Sequence, residues 1–377
     1  MYNEKPIRLG SLDVLRGFDL FALVFFQPVF STFARVTDIR WVNAINTQFQ
    51  HVHWEGFAFW DLIMPLFMFM AGASMPFAFG KYLRNEGKAQ LYKRVIKRVV
   101  LLWILGMIAQ GNLLALDPEH IYLFSNTLQA IAIGYLISAM LLMHFNLRWQ
   151  IGITAGFLVV YWALLSFVKI NGYGGGDFSP DYNLAEYIDR LVLGRFRDGS
   201  QMLGTEIDFG NYRYTWILSS MNFGVTVMTG VFAGHMMKSV RLTKYEKIRW
   251  MAVTGILMIV AGQLWGLQMP VIKKIWTSSM TLYSSGLCFL LMALSYYLID
   301  FRDNTRYLGW LKIYGMNSIL AYMLFMVFDF SGITESVLYG TSQYLDEYYR
   351  VIIQLGNVFI IFFILWIMHK RGYFLKV

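Results

Sequence analysis

Charge is scarce in this sequence. Only 15% of its 377 residues are Asp, Glu, Lys or Arg, against about 25% in a soluble domain. There is one cysteine, Cys288, so no disulfide can form within the chain and no cysteine pair can hold a metal. Six histidines are present, but none stands at a convincing ligand spacing, so no metal site is expected. The opening stretch MYNEKPIRLGSLDVLRG lacks a small-residue cleavage site, and the first apolar segment is expected to remain as an anchor. No strong internal repeat, no low-complexity tract and no soluble stretch long enough to fold alone can be seen.

What the chain does have is apolar length. Hydrophobic residues make up 57% and aromatics 18%, with 12 Trp and 23 Tyr, as expected where rings line two membrane interfaces. The 22 Met residues read as apolar filling rather than a cofactor box. A spanning helix needs about 20 mostly apolar residues. Ten segments qualify as candidates: 12–34, 56–80, 99–116, 126–145, 150–170, 215–237, 250–268, 278–299, 308–328 and 350–369. The fold class expected is an all-α polytopic membrane protein with about ten transmembrane helices, forming one domain over 1–377.

Orientation follows from basic residues. The N-terminal stretch and residues 81–98, 146–150, 238–249, 300–312 and 370–377 together hold 22 of the 32 Lys and Arg, counting Arg16. That side is assigned to the cytoplasm, with both termini inside. The net charge of +9 is thereby a membrane address, and no nucleic-acid partner is expected. On the opposite side, residues 35–55 join the first two spans and 171–213 form the longest loop. That loop opens with a run of three glycines, expected to be flexible. It then carries a helix signal, Asn183 as N-cap with Glu186 three residues on. Leu184, Tyr187, Ile188, Leu191 and Val192 give the apolar stripe.

Polar groups inside a membrane are costly, so each is a functional candidate. Asp13, Arg16 and Asp19 are neighbours on one helix face, and Arg16 can pair with either carboxylate. A structural ion pair at the cytoplasmic edge is the plain alternative. Eleven residues after Arg16, Gln27 returns to nearly the same face. Pro28 follows and should kink the helix. The second segment opens with His51-Val52-His53-Trp54-Glu55-Gly56, then Asp61 and Pro65. Pro65 is expected to leave the carbonyl of Asp61 without a helical partner. An imidazole can act as base or nucleophile near neutral pH, and a carboxylate can orient it. Interfacial snorkelling of the same side chains is the competing reading.

SLDVLRGFDL (11–20) and HVHWEGFAFWDLIMPLFMFMAGAS (51–74) resemble the heparan-α-glucosaminide N-acetyltransferase family of transmembrane acyltransferases and its bacterial relatives. The likeness continues through TLQAIAIGYL (127–136), TWILSSMNFGVTVMTGVFAG (215–234), PVIKKIWTSS (270–279) and GMNSILAYMLFMVF (315–328). The resemblance implies an acetyl group moved from cytoplasmic acetyl-CoA to an amino sugar across the membrane. It implies that His51 is the active-site histidine, with Asp61 as the motif aspartate and His53 as an extra. Lys273, Trp276 and Asn317 fall on further family positions, and with Arg16 they are candidates for holding the cofactor. Gln27 stands where relatives often have Asn, and Ala130 where they often have Arg. Gln27 is the first candidate donor to a developing oxyanion, and Asn317 the second.

The expected partners are a glycan acceptor, such as terminal glucosamine, and the lipid bilayer; a homodimer is left open. The expected location is a bacterial inner membrane with His51 on the outer face. A secondary transporter is the alternative, since broken helices beside polar groups would suit one.

Overall fold

The computed structural model describes residues 9–85, 87–110, 113–210 and 214–375. Residues 1–8, 211–213 and 376–377, whose basic side chains entered the orientation, lie outside them. The described chain is mainly helical, and its paired strands are two short hairpins in the long loop. Seven of its helices are long and apolar enough to cross a membrane. Three of the ten expected segments fall outside that set. The segment 99–116 is the end of helix Gly87–Ala109, whose first half is the basic block. The segment 215–237 is shortened to Ser220–Lys238. The segment 308–328 breaks at Asn317 into Leu311–Met316 and Ser318–Val327.

The chain forms two compact units, residues 1–52, 58–63 and 294–377, and residues 53–57 and 64–293. In the first unit, helix Gly10–Phe25 packs on Leu311–Met316 through glycine. A Cβ on Gly17 would stand 1.8 Å from the Leu311 carbonyl oxygen, and one on Gly315 would stand 1.9 Å from that of Asp13. Only glycine allows this approach, the usual device for close helix pairs in lipid. Phe21 meets Trp310 edge-on at 4.9 Å beside it. Pro28 acts as expected on the ladder: residues Phe26–Phe30 form a π turn before helix Ser31–Thr37, because proline has no N–H to give.

In the second unit the same device joins Ile63–Asn85 to Ser220–Lys238. A Cβ on Gly72 or Gly230 would lie 1.9 Å from the carbonyl oxygen of Val227 or Phe69. A core of Tyr161, Leu165, Leu184, Met269, Ile272 and Ile275 packs against Trp54 and Phe178. The long loop thus carries part of its own core.

Two expectations for that loop need correction. Gly174, Gly175 and Gly176 are not loose. All three have positive φ, and their N–H groups donate to Tyr182, Val168 and Leu165 carbonyls at 2.8–3.0 Å. Glycine here serves a tight turn that other residues would strain. Helix Leu184–Leu193 forms with Asn183 as its cap, accepting from the Glu186 N–H at 2.8 Å. Its buried face is rotated from the apolar stripe, however. Glu186 and Asp189 are inside, while Leu191 and Val192 are 68% and 58% exposed. The carboxylates find partners inside, described below, and that outweighs the lost apolar burial.

Candidate active site

His51 and Asp61 belong to the first unit, and the fold brings them together. His51 Nδ1 lies 2.7 Å from Asp61 Oδ1. The Asp61 side chain is 2% exposed and that of His51 40%. Asp61 Oδ2 also accepts from the N–H of Ala58 at 3.0 Å and of Val52 at 3.4 Å. The carboxylate therefore fixes both its own turn and the loop that carries His51. A proton on Nδ1, facing the carboxylate, puts the imidazole lone pair on Nε2.

Pro65 stands close to the start of its helix. The chain enters this span by a 3-10 turn, Phe59–Leu62, and the α-helix starts only at Ile63. Pro65 therefore sits in the first turn, a position that proline tolerates, and it has no N–H to give the Asp61 carbonyl. Asp61 instead caps the entry turn through its side chain.

Aromatic packing holds the histidine loop. Phe49 stacks on Phe26 at 4.6 Å and meets Phe30 and Phe59 edge-on. Asn46 accepts from the Ser31 hydroxyl at 2.7 Å, and Gln48 accepts from the Phe59 N–H at 3.3 Å. The π turn at Pro28 is the wall against which this loop is built. Gln27 lies within that turn, exposed, and its amide makes no hydrogen bond among the described residues.

The other candidates are placed as follows. Arg16 lies 3.9 Å from Asp13. Asp19, fully buried, has no hydrogen-bond partner among the described residues, so of these two carboxylates it is Asp13 that Arg16 meets. Asn317 donates to the Tyr373 carbonyl and accepts from the Leu375 N–H, at 3.1 and 3.0 Å, tying the helix break to the C-terminal tail. Lys273 and Trp276 belong to the second unit, on the turn between Lys244–Gly266 and Ser278–Tyr296. Lys273 is buried. Trp276 has φ +49, donates from Nε1 to Thr226 and accepts at its carbonyl from Asn222. Within that unit the histidine motif meets the Lys-x-x-Trp turn by backbone pairing, with the Gly56 N–H donating to Val271 at 2.9 Å beside a Glu55–Ile272 bridge. Trp54 closes the same region by donating to the Phe178 carbonyl at 2.9 Å.

Residues 8–173, the stretch holding Arg16, Gln27, His51 and Asp61, match the family model described as heparan-alpha-glucosaminide N-acetyltransferase, catalytic. The chain is similar to that acetyltransferase family. The likeness runs on past the matched stretch. The heparan-alpha-glucosaminide N-acetyltransferase of Homo sapiens is 26% identical over 376 residues, covering 87% of this chain and 54% of the relative. That of Mus musculus is 24% identical over 367 residues, covering 84% and 53%. The chain spans about half the length of the curated relatives it matches.

One buried charge group in the second unit was missed by the sequence reading. Glu186 and Arg197, both 0% exposed, pair with each other, and Arg190 adds a 2.9 Å bond to Glu186. Asp189 accepts from the N–H groups of Trp216 and Ile217 at 2.7 and 2.9 Å, clamping the approach to helix Ser220–Lys238. The available signal was two acids at i and i+3 beside an Arg, all on a helix next to RFRDG. Burial pushes the Asp189 carboxyl up to about 7, against the pull of the two N–H donors and Arg197. With a folded pKa above the unfolded one, this group favours the folded state fully only below about pH 4. Its contribution then falls as pH rises, up to about pH 7. Asp189→Asn should flatten that part of the stability profile by about 4 kcal/mol between those limits. Unfolding in detergent at a series of pH values reads it, and an unchanged slope would contradict it.

Proposed function

We propose that this chain is a membrane-embedded acetyltransferase. It takes the acetyl group of cytoplasmic acetyl-CoA and passes it to the amine of an amino sugar on the outer side. Terminal glucosamine of a glycan is the acceptor class. The observation that carries the reading is the buried Asp61 carboxylate held 2.7 Å from His51 Nδ1.

The chemistry follows from that pair. The acceptor nitrogen attacks the thioester carbonyl, and His51 Nε2 takes the amine proton. The C–S bond then breaks, and the proton is passed to the departing thiolate. Negative charge develops on the carbonyl oxygen, and the exposed Gln27 amide is the proposed donor to it. Asp61 stabilises the imidazolium and keeps its tautomer. Arg16, Lys273, Trp276 and Asn317 are assigned to the cofactor. Asn317 gives one amide N–H to the Tyr373 carbonyl and accepts from the Leu375 N–H, which leaves its second N–H for the cofactor. The whole chain acts as one transmembrane domain of about ten spans.

Purified protein given acetyl-CoA should release free thiol, faster with glucosamine. A transporter releases none, and that result would end the acetyltransferase reading. Orientation has its own test. In a Cys288→Ala background, Asp177→Cys should react with an impermeant reagent added outside intact cells, and Lys88→Cys should not. Labelling of Lys88→Cys from outside would reverse the assigned topology.

A further inference from the structure

A polar hollow lies in the first unit, away from the residues assigned to chemistry. It has a volume of about 890 Å³ and is walled by helix Ser31–Thr37, the segment 329–335 and the start of helix Tyr349–Lys370. An adjoining recess of about 250 Å³ shares Asp329, Ser331 and Gln354 with it, and runs in beside Val24 and Pro28. The main volume is in the range of small-molecule sites, roughly 300–1,000 Å³.

Six charged groups surround the hollow: Arg35, Arg350, Asp329, Glu335, Asp346 and Glu347. None of them is ion-paired among the described residues, although both signs face one space. Arg35 is steered by its own helix, donating to the Ser31 carbonyl and the Thr32 hydroxyl at 3.3 Å. The floor is rigid. Asn357 donates to Asp329 and Ser331, and accepts from the Phe330 N–H at 2.9 Å. Hydrogen bonds from Ser331 and Asn357 hold the Asp329 carboxyl below its ordinary range. Tyr349 adds a half-buried ring to the wall.

This lining has the chemistry of saccharide recognition. Unpaired carboxylates and guanidinium groups, with side-chain amides and a hydroxyl, can bind vicinal hydroxyls from both sides. A tyrosine ring can cover an apolar sugar face. Four carboxylates against two guanidinium groups leave the hollow negative. It should therefore attract ammonium groups and repel a sulfated chain. The position is also telling. One short stretch of helix turns Val24, Pro28 and Thr32 to the hollow and recess, and Phe26 and Phe30 to Phe49, two residues from His51. The two sites share a wall.

We propose that this hollow is an accessory site for an oligosaccharide bearing free amino groups, holding further sugar units of the glycan whose amine is acetylated at His51. The inference rests on the acetyltransferase reading for the ligand's origin, and the test separates the two. Full-length protein in nanodiscs of neutral lipid is titrated calorimetrically at about pH 6, where sugar amines are protonated. The probes are a glucosamine tetramer, its N-acetylated form and a heparin-derived tetrasaccharide. The glucosamine tetramer should bind tightest, and the heparin fragment weakest. Asp346→Asn combined with Glu347→Gln, both exposed, should weaken the tetramer about tenfold, while His51→Ala leaves its affinity unchanged. Preferred binding of the heparin fragment, or unaltered affinity in the double variant, would overturn the site. Loss of binding in His51→Ala would also overturn it, because the sugar would then sit at the dyad alone. Binding as expected without any acetyl transfer would uphold the site and sink the enzyme.

Discussion

His51→Ala should lower acetyl transfer by about 100- to 10,000-fold, the range for losing a positioned general base. Acetyl-CoA binding and folding should survive, because the His51 side chain is partly exposed and only its ring meets the buried Asp61. The neighbouring His53, exposed and in the other unit, should tolerate alanine with most activity kept. Asp61→Asn tests the positioning role. It removes the acceptor for His51 Nδ1 and sets an amide against the Ala58 N–H. Transfer should fall with little change in KM, and the pH profile should shift as the imidazole loses its carboxylate. Full activity in His51→Ala would remove this residue from the mechanism. Exchange of labelled CoA into acetyl-CoA without acceptor would point to an acetyl-imidazole. Its absence would favour direct attack, in which one pocket holds both substrates and gains the proximity advantage in a single step.

The contact between His51 and Asp61 was legible because its signals are local. Ten residues separate His51 from Asp61, a proline and a boundary mark the turn, and short-range sterics settle the rest. The same holds for the Asn183 cap and for the irregular turn at Pro28. What stayed hidden depends on contacts far apart in sequence. The apolar stripe of Leu184–Leu193 suggested one buried face, but Arg197 and the Trp216 and Ile217 N–H groups draw the acids inward. The two acids beside RFRDG hint at Arg197, but no pattern within the helix reports the Trp216 and Ile217 N–H groups. The break at Asn317 was hidden for a similar reason. Its segment is apolar throughout, and the side chain that ends the first helix bonds to a tail some 56 residues later. The hollow needs residues 32–36 and 329–354 side by side, and only the fold puts them there.

The buried charge group should give the largest stability loss. Arg197 donates to Glu186 and to the carbonyls of Asp198 and Phe209, and it lies fully inside. Its own backbone forms a bridge with Phe124, and the adjacent Phe196 carbonyl accepts from the Leu123 N–H at 3.0 Å. Arg197 therefore ties the long loop to the segment before helix Thr127–His144. Arg197→Ala removes one cation from a buried carboxylate and leaves two carbonyls without their donor. Breaking such a pair costs about 3–5 kcal/mol, more than a surface pair could. Arg190 still reaches Glu186 at 2.9 Å, which should hold the loss to the lower part of that range. Glu186→Gln in the same chain should restore part of the stability, since it removes the stranded charge while keeping an acceptor for Arg190. Denaturation in detergent would measure both, with proteolysis reporting whether 171–210 opens first. The expected order is parent, then double variant, then Arg197→Ala. An Arg197→Ala protein as stable as the parent would mean that the pair is solvated in practice, and that the loop is held by its apolar core of Leu184, Met269 and Ile272 instead.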